Sequence, residues 1–78
     1  MILQNPIQDQ VNSILKSIKR IRQEKSISQY EMANRLNISQ NAYFKIEKGT
    51  TKLDLYRFIL ISNILEFKVS SFIIETIE

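Results

Sequence analysis

Residues 28–49 read SQYEMANRLNISQNAYFKIEKG and contain two helix starts that lie eleven residues apart. Ser28 stands three residues before a glutamate, the pattern of a capping box that satisfies the first free amides of a helix. Ser39 offers a similar hydroxyl cap to a second helix, and Gly49 is suited to end that helix. Asn37, between the helices, tolerates the left-handed backbone of a tight turn. The stretch therefore predicts two short helices joined by a sharp turn, the layout of a helix-turn-helix.

The flanking sequence predicts three further helices. Apolar residues recur at steps of three and four after Asn5-Pro6, so a first helix is expected to run to about Lys25. Asp54 is a suitable cap for a fourth helix, and a last helix is expected over about residues 70–77. The sequence thus predicts an all-α domain of five helices, with the helix-turn-helix formed by helices 2 and 3.

The composition supports this fold class and excludes several kinds of chemistry. The 78 residues include one glycine and one proline, whereas barrels and sandwiches of short strands need many turn residues. Cysteine and histidine are absent, which removes disulfides, thiol nucleophiles, the commonest general base and the commonest metal ligand. The apolar runs are too short for a membrane span, and the N-terminus lacks a signal-peptide pattern. We therefore expect a cytoplasmic protein that is not an enzyme and needs no metal or cofactor.

The net charge of +3 is unevenly distributed along the chain. Residues 16–52 hold nine of the eleven lysines and arginines but three of the eight acidic residues, which makes this segment +6. Residues 1–15 carry −1 and residues 53–78 carry −2. A basic centre is typical of a segment that binds a polyanion, although the solvated helix faces of ordinary proteins show similar counts.

The segment 21–54 closely resembles the lambda-repressor-like, Cro or XRE-type family of DNA-binding domains. The resemblance covers about residues 19–72 of a single domain, residues 1–18 being an N-terminal extension of the first helix. One departure lies at the turn, where Asn37 replaces the glycine usual in the family; asparagine is the least costly substitute. The matching positions are Arg22, Ser28, Gln29, Met32, Ala33, Leu36, Ile38, Ser39, Tyr43, Ile46, Glu47, Gly49, Leu55, Phe58, Leu65 and Phe67.

The resemblance implies roles for individual side chains. Arg22 and Glu47 occupy positions that form an ion pair in the family and tie the first helix to the third. Gln40, Asn41 and Lys45 are the implied readers of base edges, because Gln and Asn can bond adenine and Lys can reach guanine in the major groove. The helical period places the following residues together on the outward face of helix 3: Gln40, Asn41, Phe44, Lys45 and Lys48.

Other residues are candidates for contacts with the DNA backbone. Gln29, at the start of helix 2, is similar to a family residue that grips a phosphate there, where the helix dipole favours an anion. Further phosphate candidates lie in and around the loop after helix 3: Lys48, Thr50, Thr51 and Lys52. Each of these residues is alternatively an ordinary solvent-exposed polar side chain.

Two aromatic residues of helix 3 leave alternatives open. Tyr43 is expected in the core by position, with a phosphate contact through its hydroxyl as the alternative. Phe44 departs from the mostly polar groove face of the family. It either packs on a thymine methyl or sugar, or lies half-buried against a neighbouring helix.

The terminal segments carry more apolar residues than a domain of this size can bury alone. The last helix is therefore expected to form a dimer interface, the alternative being that the two terminal segments pack on each other within a monomer. The interface residues predicted in this helix are Phe72, Ile73, Ile74 and Ile77.

These observations predict a sequence-specific transcriptional regulator, most simply a repressor, that binds double-stranded DNA with a pseudo-palindromic sequence as a homodimer. Stand-alone domains of this length resemble phage Cro-like repressors and the controller proteins of restriction–modification loci, and no small-molecule effector domain is expected. The alternative is an antitoxin or another protein-interaction module, in which the apolar terminal helices cover a partner protein and DNA binding is secondary.

Overall fold

Residues 5–71, the part of the chain described by the computed structural model, contain four helices and a short fifth helical segment. Residues 69–71, after the fourth helix, are again helical, and no strand occurs between residues 5 and 71. The predicted all-α fold with five helices is confirmed. The helices are α1 (Pro6–Glu24), α2 (Gln29–Leu36), α3 (Gln40–Lys48) and α4 (Leu55–Leu65).

Each of the four helices begins at a residue whose side chain accepts a hydrogen bond from a backbone amide of the first turn. The acceptors Asn5, Ser28, Ser39 and Asp54 do so at 2.7–3.0 Å. All four are the caps that the sequence predicts, and such a cap stabilises a helix by about 1 kcal/mol. The capping box at Ser28 differs in one respect, because the Glu31 carboxylate is bonded to the Arg35 side chain, one turn further along α2.

Left-handed residues end three of the helices. Asn37 (φ 60°) ends α2 and Gly49 (φ 89°) ends α3, as their residue types predict, whereas Glu66 (φ 61°) ends α4 without such a signal. Gly49 is also closely approached by α1, since a Cβ atom built on it would lie 3.3 Å from Leu15 Cδ1. Glycine therefore satisfies two requirements at this position, the backbone conformation and the close packing.

The core lies where the four helices meet. Its central side chains are all less than 10% exposed, and each helix contributes at least one of them. Among the described helices, α2 and α3 make the most extensive contact, and α1 packs on α3 as well. This arrangement holds α3 from one side and leaves its opposite face to solvent. The core side chains are Leu15, Ile18, Met32, Ala33, Leu36, Tyr43, Ile61 and Leu65.

Candidate nucleic-acid interface

The turn between α2 and α3 fixes the orientation of α3 relative to α2. The amide of Ile38 donates to the carbonyl of Ala33 at 2.9 Å, and the left-handed Asn37 reverses the chain. Ile38 itself packs against the core, and the Ser39 cap follows directly. The backbone of this turn is thus held by its own hydrogen bonds and by the partly buried side chain of Ile38, so α3 has a defined orientation relative to α2.

Arg22 and Glu47 form a buried, bidentate ion pair between α1 and α3. Arg22 Nε donates to Glu47 Oε2 at 2.8 Å, and Nη2 donates to Oε1 at 2.9 Å. The two side chains are only 8% and 3% exposed. Arg22 Nη1 donates to the carbonyl of Ile27 at 2.8 Å, so the guanidinium also holds the segment between α1 and α2.

Two more side chains donate to the Glu47 carboxylate. The Tyr43 hydroxyl donates to Oε2 at 2.6 Å, and Gln29 Nε2 donates to Oε1 at 3.1 Å. Together with the two bonds from Arg22, the carboxylate accepts four hydrogen bonds, which fills its acceptor capacity. Among the described residues, every buried side-chain nitrogen and oxygen has a partner. We call Arg22, Gln29, Tyr43 and Glu47 the carboxylate network.

The carboxylate network sets the protonation states of its members. Burial would raise the pKa of Glu47, but hydrogen bonds from Arg22, Tyr43 and Gln29 outweigh it and bring this pKa below its ordinary value of 4.5. The hydrogen bonds that Arg22 donates to Glu47 raise the pKa of Arg22 above its ordinary value. The pKa of the Tyr43 hydroxyl is raised by burial and by the adjacent carboxylate. At neutral pH the ion pair is therefore charged, and the Tyr43 hydroxyl keeps the proton that it donates.

The opposite face of α3 is exposed to solvent, as the helical period predicts. Phe44 is 43% exposed and is the large apolar residue of this face. Lys48 Nζ lies 5.5 Å from the centroid of the Phe44 ring, within the range of a cation–π interaction. The face combines amide donors and acceptors, an aromatic ring and two ammonium groups, which are the groups that read base edges and contact phosphates. Its exposed side chains are Gln40, Asn41, Phe44, Lys45 and Lys48.

Residues 18–72 match a family model described as helix-turn-helix, of the Cro/C1 type. The chain belongs to the Cro/C1-type helix-turn-helix family. The resemblance found in the sequence is thereby confirmed, and the chain is a DNA-binding helix-turn-helix protein of a family that is not enzymatic. Comparison with curated proteins and with solved structures gives no match.

The predicted phosphate contacts of this helix-turn-helix protein lie in two places. Gln29 is half-buried at the first position of α2, where its amide is already bonded to Glu47. The others lie at the exposed end of α3 and just beyond it. Thr50 Oγ1 donates to the carbonyl of Lys45 at 3.2 Å, and this carbonyl also accepts from the backbone amides of Gly49, Thr50 and Thr51. Thr51 and Lys52 are exposed, and Lys48 lies over Phe44.

The structure places Tyr43 away from the surface at which a phosphate contact is predicted for it. The residue is 0% exposed, and its hydroxyl donates to the buried Glu47 carboxylate. A phosphate could reach this oxygen only if the carboxylate network opened. Tyr43 therefore belongs to the core, which is the other role that its position in α3 suggests.

All four arginines of the helix-turn-helix protein are paired with carboxylates. Besides the buried Arg22, Arg20 pairs with Glu24, Arg35 with Glu31 and Arg57 with Asp54, and these three pairs are partly exposed. Within residues 5–71, Lys25 is the one lysine with an ion pair, to Glu66 at 3.5 Å. The remaining positive charge belongs to lysines that have no carboxylate partner in the described part of the chain, namely Lys16, Lys19, Lys45, Lys48, Lys52 and Lys68.

Some predicted features fall outside the described residues. The proposed dimer-interface residues Phe72, Ile73, Ile74 and Ile77 lie beyond residue 71. Within residues 5–71, no helix is both long and apolar enough to cross a membrane, and no cluster of acidic side chains is suited to a metal ion.

The bonds that Gln29 and Tyr43 make to Glu47 are not among the features predicted from the sequence. The i, i+4 spacing of Tyr43 and Glu47 on one helix was a usable signal for their contact. Gln29 and Glu47 are 18 residues apart on different helices, and only the packing of α2 on α3 brings their side chains together. The Lys48–Phe44 contact also has i, i+4 spacing and could have been predicted.

Proposed function

We propose that this helix-turn-helix protein is a sequence-specific transcriptional regulator, acting as a repressor. In this proposal α3 is the recognition helix and enters the major groove of DNA. The observation that carries the proposal is the division of α3 into two faces. The inner face is fixed by the buried Arg22–Glu47 pair, while Gln40, Asn41 and Lys45 remain exposed for base edges.

Each proposed base contact follows from side-chain chemistry. The amides of Gln40 and Asn41 can donate to N7 and accept from N6 of adenine in a bidentate contact, which is worth about 1–3 kcal/mol of discrimination. Lys45 can donate to O6 and N7 of guanine. Phe44 is exposed between these residues and Lys48, so it is available for a thymine methyl group.

The proposal includes contacts to the DNA backbone on both sides of the recognition helix. Gln29 approaches one phosphate from the start of α2, where backbone amides and the helix dipole favour an anion. The end of α3 supplies Lys48 for further phosphates, and the segment after α3 supplies Thr50, Thr51 and Lys52. These lysines release counterions on binding, so the affinity should fall steeply as the salt concentration rises.

We further propose that the protein binds a pseudo-palindromic site as a homodimer. A two-fold axis would place two copies of α3 about 34 Å apart, which is one turn of DNA. The dimer interface is assigned to Phe72, Ile73, Ile74 and Ile77. This assignment is supported by the apolar character of the C-terminal segment and by the size of the domain.

Selection of bound duplexes from a random pool tests this function directly. The expected result is an enriched palindrome whose half-sites are separated by about one helical turn. In the double variant Gln40→Ala/Asn41→Ala, the sequence preference should be lost while the fold and the oligomeric state are retained. Asn63→Ala is a matched control, because Asn63 is an exposed amide on α4, outside the proposed interface. An unchanged preference in the double variant would show that the base-reading residues are wrongly assigned, and no enrichment at low salt would contradict the regulator function.

A protein-interaction module, such as an antitoxin, is the second candidate function. It is favoured by an open apolar groove of about 500 Å³ between α1, the segment after α3 and the start of α4. Ile7 and Leu55, at this groove, are 71% and 69% exposed. Large apolar side chains exposed together are typical of surfaces that contact another protein.

A truncated chain without residues 70–78 separates the two candidates. If the chain is a regulator, the truncated monomer should keep its preference for a half-site and bind the full site more weakly. If it is an interaction module, sequence-dependent DNA binding should contribute little before or after truncation. Binding of the partner protein should then be abolished by the truncation if the C-terminal helix covers the partner, and retained if the partner occupies the groove.

A further inference from the structure

The hydrogen bond between Gln29 and Glu47 connects the proposed DNA contacts to the buried ion pair. Gln29 Nε2 donates to Glu47 Oε1 at 3.1 Å, and the same oxygen accepts from Arg22 Nη2 at 2.9 Å. The Arg22 and Glu47 side chains are 8% and 3% exposed, whereas Gln29 is half-buried at the protein surface. The amide nitrogen of Gln29 is thus bonded to a buried carboxylate, while Gln29 itself is the first residue of α2 and is partly exposed to solvent.

The charge of Glu47 determines which way the Gln29 amide is turned. An ionised carboxylate only accepts hydrogen bonds, so the amide nitrogen and not the amide oxygen must face it. One hydrogen of Nε2 is used in this bond, and the second hydrogen remains available. A phosphate is likewise only an acceptor, so it needs this second hydrogen and would be repelled by the amide oxygen.

We infer that Glu47 is a positioning residue for DNA binding, which orients the Gln29 amide so that its free N–H is presented to a backbone phosphate. This inference rests on the proposed function, in which Gln29 contacts a phosphate. Arg22 and Tyr43 contribute through Glu47, because their three hydrogen bonds hold the carboxylate in place. Binding therefore does not have to order the Gln29 side chain, and the loss of side-chain entropy on binding is smaller.

Gln40 provides an internal comparison for Gln29. Both glutamines occupy the first position of a helix in the helix-turn-helix. Gln40 is exposed, and no hydrogen bond holds its side chain in the described part of the structure. The two residues thus share chemistry and helix position, and only Gln29 is attached to the carboxylate network.

A double-mutant cycle tests the inference with a duplex that carries the selected site. The background is an apolar-core variant, Arg22→Met/Tyr43→Phe/Glu47→Leu, in which apolar side chains replace the buried charges; such replacements often preserve or increase stability. In the unmodified protein, Gln29→Ala should weaken binding about tenfold, the size expected for a lost hydrogen bond to a charged group. In the apolar-core variant the same substitution should weaken binding less than about twofold. Gln40→Ala should weaken binding by the same factor in both backgrounds.

Each outcome of the cycle has a distinct meaning. An equal effect of Gln29→Ala in both backgrounds, or no effect in the unmodified protein while Gln40→Ala weakens binding, overturns the inference and leaves the proposed function standing. If the unmodified protein shows no sequence-dependent binding, the proposed function itself fails.

NMR of the unmodified, DNA-free protein gives a test that does not depend on folding of the apolar-core variant. Heteronuclear NOE values of the side-chain amides should show Gln29 as ordered and Gln40 as mobile on the picosecond to nanosecond timescale. Equal mobility of the two amides overturns the inference.

Discussion

The inner and outer faces of α3 differ in whether their polar groups have partners within the protein. On the inner face, Glu47 and Tyr43 are less than 10% exposed and are bonded to each other and to side chains from α1 and α2. On the outer face, Gln40, Asn41 and Lys45 are exposed. The difference teaches that the helix is fixed by one face so that the other can present its donors and acceptors to an external partner. Substitutions on the two faces should therefore affect stability very differently.

The largest effect is expected from removal of the Glu47 carboxylate. Glu47→Ala leaves Arg22 as a buried, unpaired charge, so the free energy of unfolding should fall by about 3–5 kcal/mol. Chemical denaturation followed by circular dichroism measures this change. The matched control is Glu24→Ala, which breaks the exposed pair with Arg20 on the same helix as Arg22 and should cost less than about 0.5 kcal/mol. Similar losses in the two variants would contradict the distinction between buried and exposed pairs.

The contribution of Glu47 to the stability of the folded protein should be lost at acid pH. The pKa of Glu47 is lower in the folded protein than its ordinary value of 4.5, so its contribution to stability is fully present above about pH 4.5 and is lost as the pH falls through the folded-state pKa. Denaturation midpoints across pH 2–7 should show this loss in the unmodified protein and a weaker pH dependence in Arg22→Met/Tyr43→Phe/Glu47→Leu. Asp54, whose pKa is also lowered by the Arg57 amide, contributes equally to both proteins and cancels in the difference. Parallel pH profiles would mean that Glu47 is not the group responsible.

The third prediction compares adjacent residues on opposite faces of α3. Tyr43→Phe removes one oxygen atom, yet it should lower the free energy of unfolding by about 1.5–3 kcal/mol, because the lost hydrogen bond goes to a buried carboxylate. Phe44→Ala removes a whole ring, yet it should cost less than about 1 kcal/mol, since the ring is 43% exposed and its contact with Lys48 is worth about 0.5–1 kcal/mol. Urea denaturation of both variants provides the test. A larger cost for Phe44→Ala would place its ring in the core.

A smaller loss of stability than that of Tyr43→Phe is expected at the C-terminal end of α3. Gly49→Ala introduces a side chain at φ 89° and only 3.3 Å from Leu15 Cδ1, so it should destabilise the protein by about 1–2 kcal/mol. Asn37→Gly is the control at the left-handed end of α2, and it should change the stability little because glycine accepts this conformation readily. Thermal unfolding compares the two substitutions. A neutral Gly49→Ala would mean that the loop relaxes without cost.

The helix boundaries were predictable because they depend on local chemistry. Ser28, Ser39 and Asp54 cap the helices that follow them, and Asn37 and Gly49 adopt the left-handed conformation for which their residue types are suited. The end of α4 at Glu66 was not predictable in this way. A glutamate with φ 61° has no favourable propensity there, so its conformation depends on the chain around it.

The candidate site was predictable in its outward face and less so in its inner contacts. The helical period is sufficient to place Gln40, Asn41 and Lys45 on the exposed side of α3. The family resemblance suggested the pairing of Arg22 with Glu47. The participation of Gln29 in the carboxylate network depends on the distance between α2 and α3, which a linear pattern does not contain. The contact of Tyr43 with Glu47 lies within α3, and its i, i+4 spacing is visible in the sequence.

The pairing of the arginines has a consequence for how the protein can recognise DNA. Every guanidinium is paired with a carboxylate of the same chain, so within residues 5–71 the positive charge that has no carboxylate partner is carried by ammonium groups. An ammonium group is a point charge without the planar fork that arginine offers to guanine or phosphate. Lysine contacts therefore tolerate small displacements of the duplex, and they attract it without imposing a rotational register. In the proposed binding mode, this register comes from directional hydrogen bonds of the amide side chains of Gln29, Gln40 and Asn41.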